Sequence, residues 1–484
     1  MGADRGLRAL YGVSAYPAEV SLGVAVLFVL CSIPAARSMR AGAFDVFELG
    51  VAFGGAYFLY FGVRALGILL NPAVLLPETP HPSVIVAGLP QAVWYAGLGM
   101  AAYLAGYRVP LRFGTARLFA GDTRLNARLV DGVAVTFYAL GWLARLPELT
   151  HGWFLTTAAA RFAGEVPPVV QSISFFSILA VLGYALSLVA LAAQGGERRA
   201  PRLLAAVFTP IEFLYAFLIG SKFYMGLIVC ILLILNHYLR RRISPTAVLV
   251  TILVFMFVVT PVVTEYREVA GAQNLHLRAF AREFPHMTAQ VVHRLWISLP
   301  GQYFTIGSRA VLDRLSGVDG IAVTIRGVPL VSPFIHGGSL AWVVKVLVPT
   351  VVEPRKYDAV ARVLSPVPYL FGYPDFSRGG IALTEVAEFY WNFGLAGILA
   401  GMFVVGLLQK AAVTWLLHPV SPLRIFIYSI VWPWMMVAVE GWAFSIYPNI
   451  FRLTGLAVLI AWGTLWLSRR HPVYLPAGSV GARG

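Results

Sequence analysis

Apolar residues dominate this chain in long runs separated by short polar links. The runs lie near 18–35, 43–63, 84–106, 128–146, 170–193, 203–220, 222–238, 246–264, 389–409, 423–440 and 453–468. Runs of this length, closed as helices, cross a hydrocarbon core of about 30 Å. Helix is the form they take in lipid, because it pairs every backbone polar group within the segment. The pattern therefore predicts an all-α polytopic membrane protein with about 11 transmembrane helices, in a range of 10–14. The link Gly220–Ser221–Lys222 makes the sixth and seventh spans a tight hairpin. No internal repeat of the kind used by inverted-repeat transporters is visible.

The pattern breaks once, over residues 265–381, which form one large external loop. Inside it, "HLRAFAREFPHMTAQVVHRLW" (276–296) and "LAWVVKVLVPTVV" (340–352) read as amphipathic or re-entrant helices suited to a bilayer surface. The chain thus divides into spans one to eight (1–264), the loop (265–381), and spans nine to eleven with a tail (382–484), all one integral domain. The start, "MGADRGLRALYGVSAYP", lacks the features of a removable signal peptide, so the first span is expected to be an uncleaved anchor.

Composition agrees: 59% of residues are hydrophobic and 12% charged, with a mean hydropathy of +0.76. Soluble domains carry about 25% charged residues. The net charge of +15 is explained by topology rather than nucleic acid. Arg37 and Arg40, then Arg108 to Arg128, Arg198 to Arg202, Arg240 to Arg242, and Arg469 with Arg470 occupy alternate links. The positive-inside rule makes those links and the C-terminus cytoplasmic and the long loop external. With 11 spans the N-terminus is external. Cys31 and Cys230 sit in apolar runs, and no nucleotide loop or metal-ligand spacing is present, so no cofactor or metal is expected.

Candidate chemistry gathers around the loop. Glu385, Glu388 and Asn392 are spaced to share one helical face where span nine begins. Acidic residues in a first turn also suit the helix dipole, with Thr384 as N-cap, but Asn392 lies a turn too deep for that account. In the loop, Arg267, Arg278, Arg282 and Arg314, with Lys356, are candidates for gripping a diphosphate. Local pairs such as Arg267 with Glu268, Arg309 with Asp313 and Arg355 with Glu353 are the structural alternative. His336 stands in a Gly/Pro-flanked turn, "SPFIHGG".

The segments "SRAVLDRLSG" (308–317), "PFIHGGSLAWVVKVLVPTVVEPRKY" (333–357), "YLFGYPDFSRGG" and "TEVAEFYWNFGLAGILAGMFVVGLL" (384–408) resemble, in that order, the Wzy-type O-antigen polymerases, or oligosaccharide repeat-unit polymerases. Arg314, Gly337, Gly338, Pro349, Lys356, Glu388, Tyr390, Asn392, Phe393, Gly394 and Gly397 match the features of that family. The Trp-Pro that usually precedes the lysine is absent.

The resemblance implies a glycosyltransferase of the bacterial inner membrane with its loop on the periplasmic side. It would join undecaprenyl-diphosphate-linked oligosaccharides and release undecaprenyl diphosphate, without a nucleotide sugar. Partners would be those lipid-linked substrates, the lipid bilayer, a chain-length regulator and a flippase. Glu388 would be the base or stabilising carboxylate and Glu385 the second carboxylate. Tyr390, Asn392, His336 and Arg378 would contact sugar. The related O-antigen ligases share the architecture, so ligation is the alternative, followed by another polyprenyl-linked-sugar transferase and a lipid or saccharide transporter.

Overall fold

The computed structural model describes residues 17–42, 44–71, 82–111, 125–151, 167–193, 199–270, 277–297, 315–348, 352–353, 365–370 and 383–470. The described chain is helical, with no strand among the described residues. In order the helices are α1 Pro17–Arg40, α2 Leu49–Leu70, α3 Pro82–Tyr107, α4 Ala127–His151, α5 Pro168–Phe175, α6 Ile178–Ala193, α7 Arg199–Leu218, α8 Lys222–Leu239 and α9 Pro245–Val269. The loop region supplies α10 Leu277–Ile297, α11 Gly317–Gly327, α12 Gly338–Lys345 and α13 Val367–Leu370. Three more close the chain: α14 Glu385–Leu416, α15 Pro422–Val437 and α16 Ala443–Arg470.

Ten described helices are long and apolar enough to cross a membrane, the fifth formed across a turn by α5 and α6. The shorter α15 stands where the tenth of the 11 predicted runs lies. The protein is a multi-pass membrane protein. Its helices start where the chain supplies caps: the Ser221 and Ser244 hydroxyls accept from Tyr224 N–H and Ala247 N–H at 3.2 Å each.

Small residues let the main helices touch backbone to backbone. A Cβ at Gly106 would lie 2.0 Å from the Phe403 carbonyl oxygen, and one at Gly406 2.1 Å from that of Tyr103. This locks α3 against α14, and Gly141 with Gly183 does the same for α4 against α6.

Polar contacts show which helix ends meet. Tyr107, ending α3, donates to Glu48 at the head of α2. His237 near the end of α8 lies 3.3 Å from Asp45, and Asn126 N–H meets Ser468 near the end of α16. These contacts gather the arginine-rich links at one end. Away from that end, Tyr60 of α2 donates to Glu440, just past α15, at 2.6 Å.

Several boundaries move. α2 runs on to Leu70 instead of ending at 63, so Arg64 lies inside a span, paired with Asp319 at 2.7 Å. α9 runs to Val269, so the expected boundary at 264/265 falls within a helix and Arg267 belongs to its last turns. α16 begins at Ala443, ten residues before the predicted 453, through Pro448 within the helix. α10 coincides with the predicted amphipathic piece at 276–296: Met287 and Val291 are buried while Arg282 and Glu283 are exposed. α12 is shorter than the predicted 340–352. α11 was not expected, because its 11 residues extend only about 16 Å and fail any span-length criterion. All of it except Arg326 is buried.

Candidate active site

α14 is not one straight helix. Phe393 (φ −143°, ψ 19°) and Gly394 (φ +63°, ψ −149°) interrupt it, and the second conformation is one that glycine adopts without a Cβ penalty. The chain reverses there. A Cβ at Gly397 would lie 2.1 Å from the Phe389 carbonyl oxygen, and one at Gly401 2.4 Å from Phe389 Cδ2. In an unbroken helix, residues twelve apart are separated by about 18 Å. Residues 385–392 therefore fold back along 395–402 as a re-entrant helical hairpin with its tip at Phe393–Gly394.

The break frees backbone carbonyls at the tip, and the turn at 332–337 takes them up. Ile335 N–H donates to the Trp391 carbonyl and His336 N–H to that of Asn392, each at 3.2 Å. The Trp391 indole donates to Ser332 Oγ at 3.0 Å and to the Pro333 carbonyl at 3.2 Å. His336 has φ +45°, the one positive φ outside glycine among the described residues. Such backbone strain persists only where surrounding contacts hold it, as these do.

The reversal carries the short limb into the bundle. Glu385, Glu388 and Asn392 are each fully buried, not placed at an open mouth as their position at a helix start suggests. Thr384 caps the limb, its Oγ1 accepting from Ala387 N–H at 3.3 Å. Glu385 Oε2 accepts from the Tyr447 hydroxyl at 3.0 Å. Glu388 Oε2 accepts from the Ala443 N–H at 2.6 Å, at the positive end of α16. Asn392 Nδ2 donates to Ser339 Oγ and to the Glu388 carbonyl, both at 2.8 Å.

Three acceptors remain. Glu385 Oε1, Glu388 Oε1 and Asn392 Oδ1 are buried with no hydrogen-bond partner among the described residues. An unfilled buried acceptor costs about 1–3 kcal/mol. The same three atoms are where an incoming donor would gain most. Among the described residues, no lysine or arginine pairs with either carboxylate. No group of three or more His, Cys, Asp or Glu among them is arranged to hold a metal.

Around the tip stand aromatic rings: Tyr390 lies 5.8 Å from Tyr95 and 6.0 Å from Phe334, and Phe334 lies 6.4 Å from the exposed His336. Behind the cap, α11 packs against α14, with Gly320 facing Thr384. The Arg64–Asp319 pair fixes α11 to α2.

The structure thus brings together Glu385, Glu388 and Asn392, and sets Tyr390 and His336 at the tip. The predicted diphosphate group is not assembled around them among the described residues. Arg267 packs beside Gly220 in the α7–α8 turn, and Arg282 is exposed on α10. Those helices meet in a separate apolar cluster of Leu149, Tyr215, Tyr266, Val269, Met287 and Val291. Arg278 lies on the backbone of α10, and its side chain falls outside the described residues, as do Arg314, Lys356 and Arg378. The expected partner of Arg267, Glu268, faces Arg294 at 3.8 Å, and Glu265 faces the same guanidinium at 3.6 Å. The alternative pairs Arg309–Asp313 and Arg355–Glu353 lie wholly or partly outside the described residues.

Sequence reasoning missed Ser339, Tyr447, the Ala443 N–H and the Arg64–Asp319 pair. Only Arg64 carried a signal: "GVRALGILL" stays apolar after the arginine, which marks a charge inside a span. Comparisons with protein-family models, curated proteins and solved structures return no match.

Proposed function

We propose that this protein joins lipid-diphosphate-linked oligosaccharides into a polymer, with the hairpin on the periplasmic side of a bacterial inner membrane. The observation that carries the reading is the face of Glu385, Glu388 and Asn392, buried on a re-entrant limb with three acceptor oxygens unfilled. Sugar hydroxyls are the donors such a face takes. The hydroxyl at the non-reducing end of one unit donates to Glu388 Oε1. As its oxygen bonds to the anomeric carbon of the nascent chain, Glu388 takes the proton. The anomeric carbon–oxygen bond breaks, and undecaprenyl diphosphate leaves with the electron pair. Glu385, held by Tyr447, places negative charge near the oxocarbenium-like centre, as carboxylates do in glycoside hydrolysis. Burial keeps water from competing as nucleophile.

Asn392, Tyr390, His336 and Arg378 contact sugar in this scheme. Arg267, Arg278, Arg282, Arg314 and Lys356 are the pool from which the charge on the leaving diphosphate is met. A flippase supplies the lipid-linked unit, and a chain-length regulator acts on the product. The broken helix favours one second reading, transport, because discontinuous helices also build the substrate sites of carriers.

The test uses purified protein in nanodiscs with an undecaprenyl-diphosphate-linked oligosaccharide and no nucleotide sugar. A ladder spaced by one repeat unit is expected. One transfer to added lipid-A core would mean a ligase, and substrate moved to the opposite leaflet without new bonds would mean a transporter.

A further inference from the structure

Elsewhere in the bundle, buried charges are paired: Arg64 meets Asp319 at 2.7 Å, and Arg145 meets both oxygens of Glu212 at 2.8 Å. Glu385 and Glu388 are as deeply buried, yet among the described residues no lysine, arginine or histidine pairs with either. Val386, Ala387, Phe389 and Trp391, on the other sides of the limb, are buried and apolar. One oxygen of each carboxylate has a donor, the Tyr447 hydroxyl for Glu385 and the Ala443 N–H for Glu388. The other, Oε1 in both, has none, and neither has Asn392 Oδ1. Successive members of such a helical face stand with Cβ atoms about 5–6 Å apart. The Asn392 amide is tied to this face, its Nδ2 donating to the Glu388 carbonyl at 2.8 Å.

We infer that Glu385, Glu388 and Asn392 form a cation site that takes sodium through these three oxygens. A carboxylate taken out of water is costly unless positive charge meets it. The Tyr447 and Ala443 donors and the positive end of α16 offset part of the double negative charge, and one monovalent cation offsets the rest. Asn392 closes the short limb, and a helix C-terminal end also favours positive charge. The donor atoms are all oxygen, with no imidazole or thiolate, which suits a hard cation rather than zinc or copper. Calcium takes about six to eight oxygens and magnesium demands near-ideal octahedral geometry, more than two carboxylates and an amide supply. Broken helices are also where other membrane proteins hold sodium or protons. The site belongs to the hairpin itself and goes beyond the polymerase reading; on that reading, an arriving sugar hydroxyl displaces the ion from Glu388.

The test is binding of radiolabelled sodium to the purified full-length protein in choline buffer at about pH 8, without any sugar substrate. Saturable binding is expected, displaced by unlabelled sodium. Glu388→Gln removes one of the two charges and should weaken binding at least about tenfold. Glu48→Gln, at a carboxylate whose oxygens are already bonded to Tyr107 and the Val51 N–H, should leave it unchanged. No saturable binding means that protons neutralise the pair, and overturns the inference. So does undiminished binding in the double variant Glu385→Gln with Glu388→Gln, or displacement by calcium at far lower concentration than sodium itself needs. If the variants fail to fold, hydrogen exchange of the wild-type protein decides: sodium should slow exchange in peptides covering 385–392 and 443–447, and no change there rejects the site. Sodium binding needs no turnover: bound sodium without a polymer ladder keeps the cation site and rejects the polymerase, while a ladder without sodium binding does the reverse.

Discussion

One methyl group at Gly401 tests the fold-back on which the site depends. Alanine there puts a Cβ 2.4 Å from Cδ2 of Phe389, a ring that is itself buried. Overpacking of this kind costs roughly 2–3 kcal/mol, and alanine's helix preference over glycine returns about 1. Gly401→Ala should therefore destabilise by about 1–2 kcal/mol. Phe389→Leu removes the ring edge and should cost about 1–2 kcal/mol alone. Together they should cost less than their sum by about 2 kcal/mol, because the methyl then occupies the vacated space. Gly455→Ala is the control: no atom lies within 4 Å of its Cβ position, so only the helix preference acts.

The assay is SDS titration of the purified variants in micelles, followed by tryptophan fluorescence, with polymer elongation measured in parallel. Gly401→Ala should slow elongation by displacing the limb that carries Glu385 and Glu388, and the added Phe389→Leu should restore part of it. In a straight α14 the two positions are about 18 Å apart, and their effects would add to within ~0.5 kcal/mol. Additivity of that kind would refute the hairpin, and with it the burial of the carboxylates.

Three further perturbations probe the surroundings. Glu388→Gln keeps an oxygen for the Ala443 N–H but loses the base, so elongation should fall about 10²–10⁴-fold in a protein of normal stability; an undiminished rate would remove Glu388 from the mechanism. Arg64→Met leaves Asp319 buried and unpaired, costing about 3–5 kcal/mol, and adding Asp319→Leu should recover most of it in the same titration; equal losses would deny the pair any role. Burial pushes the Asp45 carboxyl up, but bonds from His237, Tyr238 and the Phe47 N–H outweigh it and hold it below the ordinary range. A depressed carboxylate contributes stability above its unfolded value of about 3.9, lost as pH falls through the folded one. Thermal scans from neutral pH down to about pH 3 should show that loss in the native protein and less of it in Asp45→Asn; identical profiles would count against it.

Much of the fold is legible because lipid leaves the backbone one option. Eleven apolar runs became eleven helical elements, with ends shifted where hydropathy windows average over single charges, as at Arg64. The face of Glu385, Glu388 and Asn392 follows from helical spacing, and the local geometry bears it out. What spacing cannot show is the reversal at Phe393–Gly394. That turn depends on the absence of a Cβ at Gly397 and Gly401 and on the 332–337 turn taking up freed carbonyls. In sequence those glycines read like any others in a membrane helix. Ser339 and Tyr447 are invisible for a related reason: they lie 53 and 62 residues from the groups they bond.

The chemistry of the hairpin also sorts the two parts of the proposed substrate. Two carboxylates and an amide oxygen with unfilled acceptors favour hydroxyl donors, and repel a diphosphate brought to the same atoms. The anionic end must therefore be met from another direction. The Ala443 N–H and the start of α16 are already engaged by Glu388, so that helix end has less to offer a phosphate. The loop sequence offers Arg314, Lys356 and Arg378 as candidate sources of positive charge, all outside the described residues. On this reading the acid pair meets the sugar hydroxyl, and the charge on the leaving diphosphate is met by groups other than these carboxylates.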